Sequence, residues 1–256
     1  MQMECKIQFY TDNKMKICVA QTRPVKGDIQ SNIDNHKKLI GLAVSKGAET
    51  IIFPELSLTG YEPKLSKDLA TNQDDIRFDD FQKISDTKHI TIGVGMPTKS
   101  NSGILISMII FQTHKSRQTY SKQYLHTDEN PYFINGQHQV LLTESKHKIA
   151  LAICYELSVP EHSENAFKSG AEIYIASVAK FMNGIDKALT RLSDIANKYS
   201  MTVLMSNCVG QSDNYKCAGK TSIWTNKGLL VAQLNDTNEG IIIIDTDTQE
   251  LIEKTI

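Results

Sequence analysis

A thiol at the end of a predicted strand is the most chemically informative feature of the sequence. Cys154 directly follows the apolar residues 149–153 and precedes a polar turn. A cysteine in that position can act as a nucleophile, because the turn presents the sulfur and leaves peptide N–H groups free to meet an oxyanion. A cysteine at a strand end is more often a small hydrophobic residue. The segment therefore needs support from elsewhere in the chain.

Two charged residues follow other apolar runs in a comparable way. Glu55 comes after residues 50–53 and Pro54, which cannot donate to a sheet ladder and should end the strand. Glu55 then lies at the carboxyl edge of the sheet, where open α/β sheets place their ligands. Lys122 lies in a polar stretch beyond the strand-like residues 103–111. Each charge alone is typical of a solvated loop, so their interpretation depends on the combination.

A carboxylate, an ammonium group and a thiol make a workable catalytic set. The thiolate attacks a carbon atom, and the carboxylate takes up and returns protons. The ammonium group balances the negative charge that develops on oxygen or nitrogen. The three residue types together therefore predict a covalent mechanism that no one of them would indicate.

The order and local sequence of these segments resemble those of the carbon–nitrogen hydrolases of the nitrilase superfamily, from about residue 15 to about residue 244. Residues 53–61 are similar to the family's glutamate motif, residues 120–122 to its lysine motif and residues 153–161 to its cysteine motif. Residues 129–136 match a further Glu-x-x-Tyr-Phe-x-x-Gly pattern. The catalytic residues that the resemblance implies are Glu55, Lys122 and Cys154, with Glu129 as a second glutamate.

The chain departs from the family pattern at several positions that concern packing or substrate fit. Ile195-Ala196 and Lys198-Tyr199 stand where family members usually carry an Arg-Ala and a Glu-Asn pair. His162 follows the cysteine motif, near which family members often have an arginine, and the stretch after residue 176 lacks a usual proline. These differences keep the catalytic set intact and leave the substrate open.

The resemblance implies a cysteine-dependent hydrolase that cleaves the C–N bond of a small non-peptide amide through a thioester, releasing ammonia or an amine. Glu55 would be the general base, and Lys122 with the Tyr155 N–H would stabilise the oxyanion. Glu129 would orient Lys122 or the substrate, and Lys122 should stay protonated between carboxylates. The alternatives are a nitrilase acting on a C≡N group, an N-acyltransferase and a non-catalytic binding protein. The family chemistry needs no metal or organic cofactor.

Residues beside the motifs are candidates for the wall of a small-molecule pocket, and ordinary packing would explain the aromatic ones equally well. The candidates are Tyr61, Tyr155, Lys180 and Phe181. An enclosed, aromatic-walled site would admit a short amide and exclude folded polypeptide. Side chains of residues 180–183 would help to set which acyl group fits.

The fold that the resemblance implies is an α/β four-layer α-β-β-α sandwich, with two mixed sheets packed face to face. Helical spacing predicts helices over residues 28–46, starting at Asp28, and over residues 186–199. Short turns in the last part of the chain predict a hairpin. Residues 1–14 are assigned as an N-terminal extension without a structural prediction, and residues 15–256 as a single domain. Apolar runs predict strands at residues 17–19, 50–53, 90–94, 104–111, 149–153, 172–176, 203–206, 222–225, 229–233 and 240–245.

The composition disfavours several other classes of function. The 256 residues include 28 basic and 29 acidic side chains, for a net charge of −1, which favours neither nucleic acid nor a membrane surface. No apolar run reaches the roughly 18 residues of a membrane span, and the polar start does not resemble a secretory signal. Five cysteines without a disulfide framework predict a cytoplasmic protein.

The seven histidines show no metal-ligand spacing, so no metal site is predicted. His126 and His162, which lie near motifs, are interpreted as supporting or surface residues. The expected partner is a small-molecule amide. Because family members usually pair, we also expect a homodimer or a higher homo-oligomer.

Overall fold

The structure is a computed structural model and describes residues 15–137, 141–144 and 147–256. The extension predicted for residues 1–14 lies outside the described residues. The helices are α1 Ile29–Ser45, α2 Ser66–Leu69, α3 Asp79–Lys88, α4 Pro160–Lys168 and α5 Ile185–Tyr199. The strands are β1 Lys16–Gln21, β2 Thr50–Ile52, β3 Thr91–Lys99, β4 Ile104–Phe111, β5 Gln118–Ser121, β6 Leu141–Glu144, β7 His147–Ile153, β8 Ile173–Ser177, β9 Thr202–Ser206, β10 Val209–Ser212, β11 Tyr215–Ala218, β12 Ser222–Trp224, β13 Leu230–Gln233, β14 Gly240–Asp245 and β15 Leu251–Thr255.

The strands form two mixed sheets. The first has the order β15-β14-β1-β2-β3-β4-β5, with β1, β2 and β3 parallel and the outer pairs antiparallel. The second has the order β13-β12-β9-β8-β7-β6, with β7, β8 and β9 parallel. Strands β10 and β11 form a separate hairpin. Each sheet thus has a parallel centre whose strands end at one edge.

Alternation along the central strands builds the layers. Ile17 and Val19 of β1 belong to the core between the sheets, whereas Cys18 and Ala20 belong to a second core beneath α1 and α3. Successive side chains of a strand point to opposite faces, so β1 is buried on both sides. Helices α4 and α5 pack together, and α5 covers the outer face of the second sheet. The predicted four-layer sandwich is confirmed.

Hydrogen bonds also tie the two sheets together near the ends of their parallel strands. Ser177, the last residue of β8, donates to the Phe53 carbonyl at 2.8 Å, and Ser206, the last residue of β9, donates to the Ala20 carbonyl at 2.6 Å. The carboxyl ends of these parallel strands are thereby fixed relative to one another.

All ten predicted strands are present, and both predicted helices form. The Asp28 side chain caps α1 by accepting from the Ser31 N–H at 3.0 Å, as expected of an N-cap. The hairpin predicted at the end of the chain is formed by β12 and β13. None of the helices in the described ranges is both long and apolar enough to cross a bilayer.

Candidate active site

Glu55 lies in a tight turn directly after β2. The Ser57 N–H donates to the Pro54 carbonyl at 3.1 Å, and Leu56 has a φ of 52°, in the left-handed region. Strand β3 passes so close to this turn that a Cβ on Gly95 would lie 2.3 Å from the Leu56 nitrogen. Glycine is therefore required at residue 95, and its close approach holds the Glu55 turn against the sheet.

Lys122 follows β5, a polar strand that the hydrophobic pattern did not predict. Lys122 does lie beyond the strand of residues 104–111, but β5 intervenes, pairs with β4 and returns the chain toward the site. The Lys122 N–H donates to the Ile106 carbonyl at 2.8 Å, and its own carbonyl accepts from Gly136 at 2.7 Å. A Cβ on Gly136 would lie 2.2 Å from the Ser121 carbonyl oxygen, so this motif glycine allows the contact.

Glu129 ends a short 3₁₀ turn, Thr127–Glu129, that brings it back to Lys122. Its Oε1 accepts from Lys122 Nζ at 2.7 Å and from the Tyr61 hydroxyl at 2.9 Å. Its Oε2 accepts from the His126 N–H at 2.8 Å. The motif glutamate is thus buried and has a fixed orientation.

The three charged groups form one buried cluster. Lys122 Nζ lies 2.7 Å from Glu55 Oε1 and 2.7 Å from Glu129 Oε1, and the lysine side chain is fully buried. Burial by itself lowers the pKa of Lys122, but the two carboxylates outweigh it and raise that pKa above its usual value. Lys122 is therefore protonated between two carboxylates, as the sequence predicted.

Glu55 differs from Glu129 in what its second oxygen contacts. Glu55 Oε2 has no hydrogen-bond partner among the residues that the structure describes. Burial raises the pKa of Glu55, while Lys122 and the neighbouring Cys154 thiol oppose that shift. A carboxylate with a raised pKa and one free oxygen is a suitable proton acceptor.

Cys154 lies at the end of β7, where the chain enters the 3₁₀ turn Cys154–Ser158. Its φ of 46° is uncommon for a residue with a Cβ and indicates backbone strain of the kind found at functional sites. Its side chain lines a cavity, although the residue is only 9% exposed. Burial and the Glu55 charge raise the pKa of Cys154 to about 11. The resting residue at neutral pH is therefore a thiol that needs a base.

Glu156, which the sequence analysis did not single out, connects the lysine and cysteine segments. It accepts from the Gln123 N–H at 2.5 Å, from the Ile153 N–H at 2.7 Å and from the Tyr120 hydroxyl at 2.6 Å. Burial raises its pKa to about 7 even though these donors favour the ionised form. The sequence feature that could have identified Glu156 is its place in the cysteine motif, two residues after Cys154.

His162 is buried rather than on the surface, and it extends this network. Its Nε2 lies 2.9 Å from the Tyr120 hydroxyl, and its Nδ1 lies 2.9 Å from the Tyr174 hydroxyl. Burial lowers the pKa of His162 to about 4, so the ring is neutral at pH 7. Because Tyr120 donates to Glu156, the consistent tautomer has His162 Nε2–H donating to Tyr120 and Nδ1 accepting from Tyr174.

A cavity of about 270 Å³ opens above these groups. All four residues predicted to bind substrate line it, together with Lys122, Glu129 and Cys154, while Glu55 lies buried behind them. A wider, open groove of about 710 Å³ around residues 26–30 contains none of the motif residues. Asn183, from the stretch 180–183 that the sequence analysis expected to set the acyl group, also lines the cavity. The lining residues that the sequence analysis missed, or interpreted only as supporting, are His126, Asp128, Ala179, Gly184 and Tyr215.

Aromatic rings form one wall of the cavity. The Tyr61 and Phe181 rings meet edge to face with centroids 5.8 Å apart, and the Phe181 and Tyr215 centroids are 4.9 Å apart. Tyr215 belongs to β11, a short polar strand that the hydrophobic pattern did not predict. Tyr155 and His126, which also line the cavity, meet edge to face with their ring centroids 5.2 Å apart. The arrangement can hold a small molecule with its reactive carbon at the Cys154 sulfur.

Comparison with known proteins agrees with these motifs. The sequence profile named Carbon-nitrogen hydrolase matches residues 16–254. A glutamine-dependent NAD(+) synthetase of Aquifex aeolicus is 24% identical over 251 residues, covering 94% of this chain and 44% of the relative. A nitrilase of Pyrococcus abyssi is 22% identical over 256 residues, covering 94% and 93%. A variant of the amidase from Nesterenkonia sp. AN1 has a similar structure, with a TM-score of 0.82, 20% identity and 90% of each chain covered.

The extent of these matches differs between the relatives. The chain spans less than half the length of the NAD(+) synthetases that it matches, but nearly the whole of the nitrilase. The family profile runs from the first strand of the first sheet to its last, and it includes every motif that forms the buried cluster. This chain therefore belongs to the carbon–nitrogen hydrolase family of the nitrilase superfamily.

Proposed function

We propose that the protein is a cysteine-dependent amidase that hydrolyses small non-peptide amides through a thioester. The observation that carries this proposal is the buried Glu55–Lys122–Glu129 cluster beside Cys154. A binding protein would have no use for a protonated lysine and two carboxylates buried beside a thiol, since burying such charges is costly.

The first half of the reaction forms the thioester. Cys154 Sγ attacks the amide carbon while its proton passes to Glu55, because a thiol with a pKa of about 11 cannot ionise by itself at neutral pH. Lys122 Nζ and the Tyr155 N–H stabilise the negative charge on the carbonyl oxygen. Glu55 then gives the proton to the leaving nitrogen, the C–N bond breaks, and ammonia or an amine departs.

The second half of the reaction returns the enzyme to its resting state. Glu55 takes a proton from a water molecule as the water oxygen attacks the thioester carbon. The C–S bond breaks, the carboxylic acid leaves and the proton returns to Cys154. Glu129 holds Lys122 in place throughout, because its carboxylate is itself fixed by Tyr61 and His126.

The descriptions of the relatives support an amide more than a nitrile as the substrate of this chain. The Nesterenkonia amidase has been captured with butyramide, and a variant of it carries the acetamide moiety of fluoroacetamide on its active-site cysteine. The NAD(+) synthetases are glutamine-dependent by name, and glutamine carries an amide. The Pyrococcus relative is a nitrilase, so C≡N hydrolysis by the same residues is the second candidate. The proposed partners are a small amide and further copies of this chain.

Ammonia release from butyramide and butyronitrile tests the proposal, because the two compounds share an acyl chain. We expect release from the amide, little from the nitrile, and none from either with Cys154→Ser. Far-UV circular dichroism of the variant checks that its fold is unchanged. Faster release from the nitrile would replace the amidase by a nitrilase, and activity retained by Cys154→Ser would exclude a thioester mechanism.

A further inference from the structure

Lys180 is a cation in the cavity that has no acidic partner among the described residues. It follows β8 by three residues and lines the same cavity as Cys154, where its side chain is partly exposed. It forms no ion pair with any residue in the described ranges, whereas Lys122 is shared by two carboxylates. One ammonium group in the site is therefore neutralised by the protein, and the other is available to a ligand.

The backbone around Lys180 is fixed on both sides. The Lys180 N–H donates to Asn207 Oδ1 at 2.9 Å, and its carbonyl accepts from the Ala218 N–H at 2.9 Å and from Asn207 Nδ2 at 3.3 Å. Asn207 is fully buried and also donates to the Gly219 carbonyl at 2.6 Å. The lysine side chain thus starts from a rigid point on the cavity wall, which reduces the entropy lost when it binds a ligand.

Lys180 acts electrostatically on the nucleophile from this position. Burial and the Glu55 charge raise the pKa of Cys154, and the Lys180 ammonium is the strongest influence in the opposite direction, ahead of Lys122. The charge of Lys180 therefore reaches the reacting sulfur. A substrate held at Cys154 would extend toward the lysine along the wall that Phe181 and Tyr215 form.

We propose that Lys180 determines substrate specificity by pairing with a carboxylate at the end of the substrate remote from its amide. The inference rests on the proposed amidase function and names its substrate class, a short ω-amide that carries a carboxylate. The cavity of about 270 Å³ lies just below the roughly 300–1,000 Å³ of most small-molecule sites, which favours a short chain.

Kinetics with a matched pair of amides tests this role. Glutaramate and pentanamide have chains of equal length and differ in the terminal carboxylate. The wild-type protein should prefer glutaramate, and Lys180→Met should lower kcat/KM for glutaramate by about 10- to 100-fold through loss of a charged hydrogen bond, mainly by raising KM. Lys180→Met should lower kcat/KM for pentanamide less, because its binding needs no ion pair and only the influence of the Lys180 charge on the Cys154 thiol is lost.

Two further variants distinguish the effect of a positive charge at residue 180 from the effect of a lysine elsewhere on the protein. Lys180→Arg keeps the cation and should retain most of the preference for glutaramate. Lys187→Met removes an exposed lysine of α5 that does not line the cavity, and it should change neither substrate. An equal fall in kcat/KM for both amides in Lys180→Met would mean that the lysine acts only on the Cys154 thiol, and it would overturn the proposal. A wild-type protein without preference for glutaramate would also overturn it.

If the protein turns over no amide, the proposed function fails but the role of Lys180 can still be tested. Protection of Cys154 from iodoacetamide by a bound anion then tests the same site. Glutarate should slow labelling of the wild-type protein, whereas pentanol should not. The protection by glutarate should be lost in Lys180→Met and kept in Lys187→Met. Equal protection of wild type and Lys180→Met, or none in the wild type, would refute an anion-binding role for Lys180.

Discussion

Replacing Lys122 by methionine should destabilise the protein in a strongly pH-dependent way. The methionine keeps most of the apolar volume of the lysine but removes the charge that Glu55 and Glu129 share. Glu129 keeps two other donors, the Tyr61 hydroxyl and the His126 N–H. Glu55 keeps none on Oε1 or Oε2 among the described residues, apart from the nearby Cys154 thiol. Glu55 is therefore the group that the substitution leaves as an unpaired buried charge.

The loss of unfolding free energy in Lys122→Met is limited by the free-energy cost of protonating Glu55. An unpaired buried carboxylate can avoid the free-energy cost of its charge by taking up a proton, and each pKa unit corresponds to about 1.36 kcal/mol. For an ordinary glutamate with a pKa of about 4.3, protonation costs about 3.7 kcal/mol at pH 7 and about 1 kcal/mol at pH 5. The pH 7 value agrees with the roughly 3–5 kcal/mol measured when one partner of a buried ion pair is removed.

The sign of the pH dependence follows from the direction of the shift. Without Lys122, the folded-state pKa of Glu55 rises further above its unfolded value, so the folded protein binds more protons. Stability is then greatest below the unfolded pKa and falls as the pH rises toward the folded one. The difference between wild type and Lys122→Met should therefore be small at pH 5 and large at pH 7.

Thermal unfolding measures both values. At about 2–4 °C per kcal/mol for a chain of this size, Lys122→Met should lower Tm by about 7–15 °C at pH 7 and by about 2–4 °C at pH 5. Lys168→Met is the control, because Lys168 forms an exposed pair with Glu164 at 2.6 Å and should shift Tm little at either pH. Adding Glu55→Gln to Lys122→Met should recover most of the loss at pH 7, since both partners are then neutral. A loss that matches the control, or that is equal at pH 5 and pH 7, would refute the reasoning.

Three further predictions concern the turns that hold the site together. Glu55→Gln should slow turnover by roughly 100- to 10,000-fold, because the Cys154 thiol loses its base; near-native turnover would mean that Glu55 is not that base. Gly136→Ala should lower Tm and activity because its Cβ would lie 2.2 Å from a carbonyl oxygen, whereas Gly41→Ala, with nothing within 4 Å in α1, should not. Glu156→Gln should lower kcat by up to about 100-fold with an unchanged circular dichroism spectrum, because an amide cannot accept from every present donor and the catalytic segments would shift.

The sequence predicted the positions of Glu55 and Cys154 from local pattern alone. Each follows a continuous apolar run, and such runs form the buried parallel strands β2 and β7. Lys122 could not be placed that way, since the preceding β5 has the polar sequence QTYS and lies at the edge of its sheet. An edge strand is stabilised by pairing with β4, and the hydrophobic periodicity of a single segment carries no record of that pairing.

The walls of the cavity were predictable only in part, for a related reason. Residues next to a motif, such as Tyr61 and Tyr155, follow the motif into the site. Tyr215 reaches it through the hairpin β10–β11, which belongs to none of the motifs. Its position depends on tertiary packing, so no local signal could have identified it.

The hydrogen bonds of Glu156 explain how the arrangement of the site is kept despite the departures from the family pattern. Two peptide N–H groups and the Tyr120 hydroxyl supply its hydrogen bonds, and neutral His162, which stands near the place of the family's arginine, contacts that hydroxyl. The two peptide donors belong to the residue after Lys122 and the residue before Cys154. One carboxylate thus joins the segments that carry Lys122 and Cys154. Sequence change around His162 can alter how Tyr120 is held while the two peptide contacts of Glu156 remain.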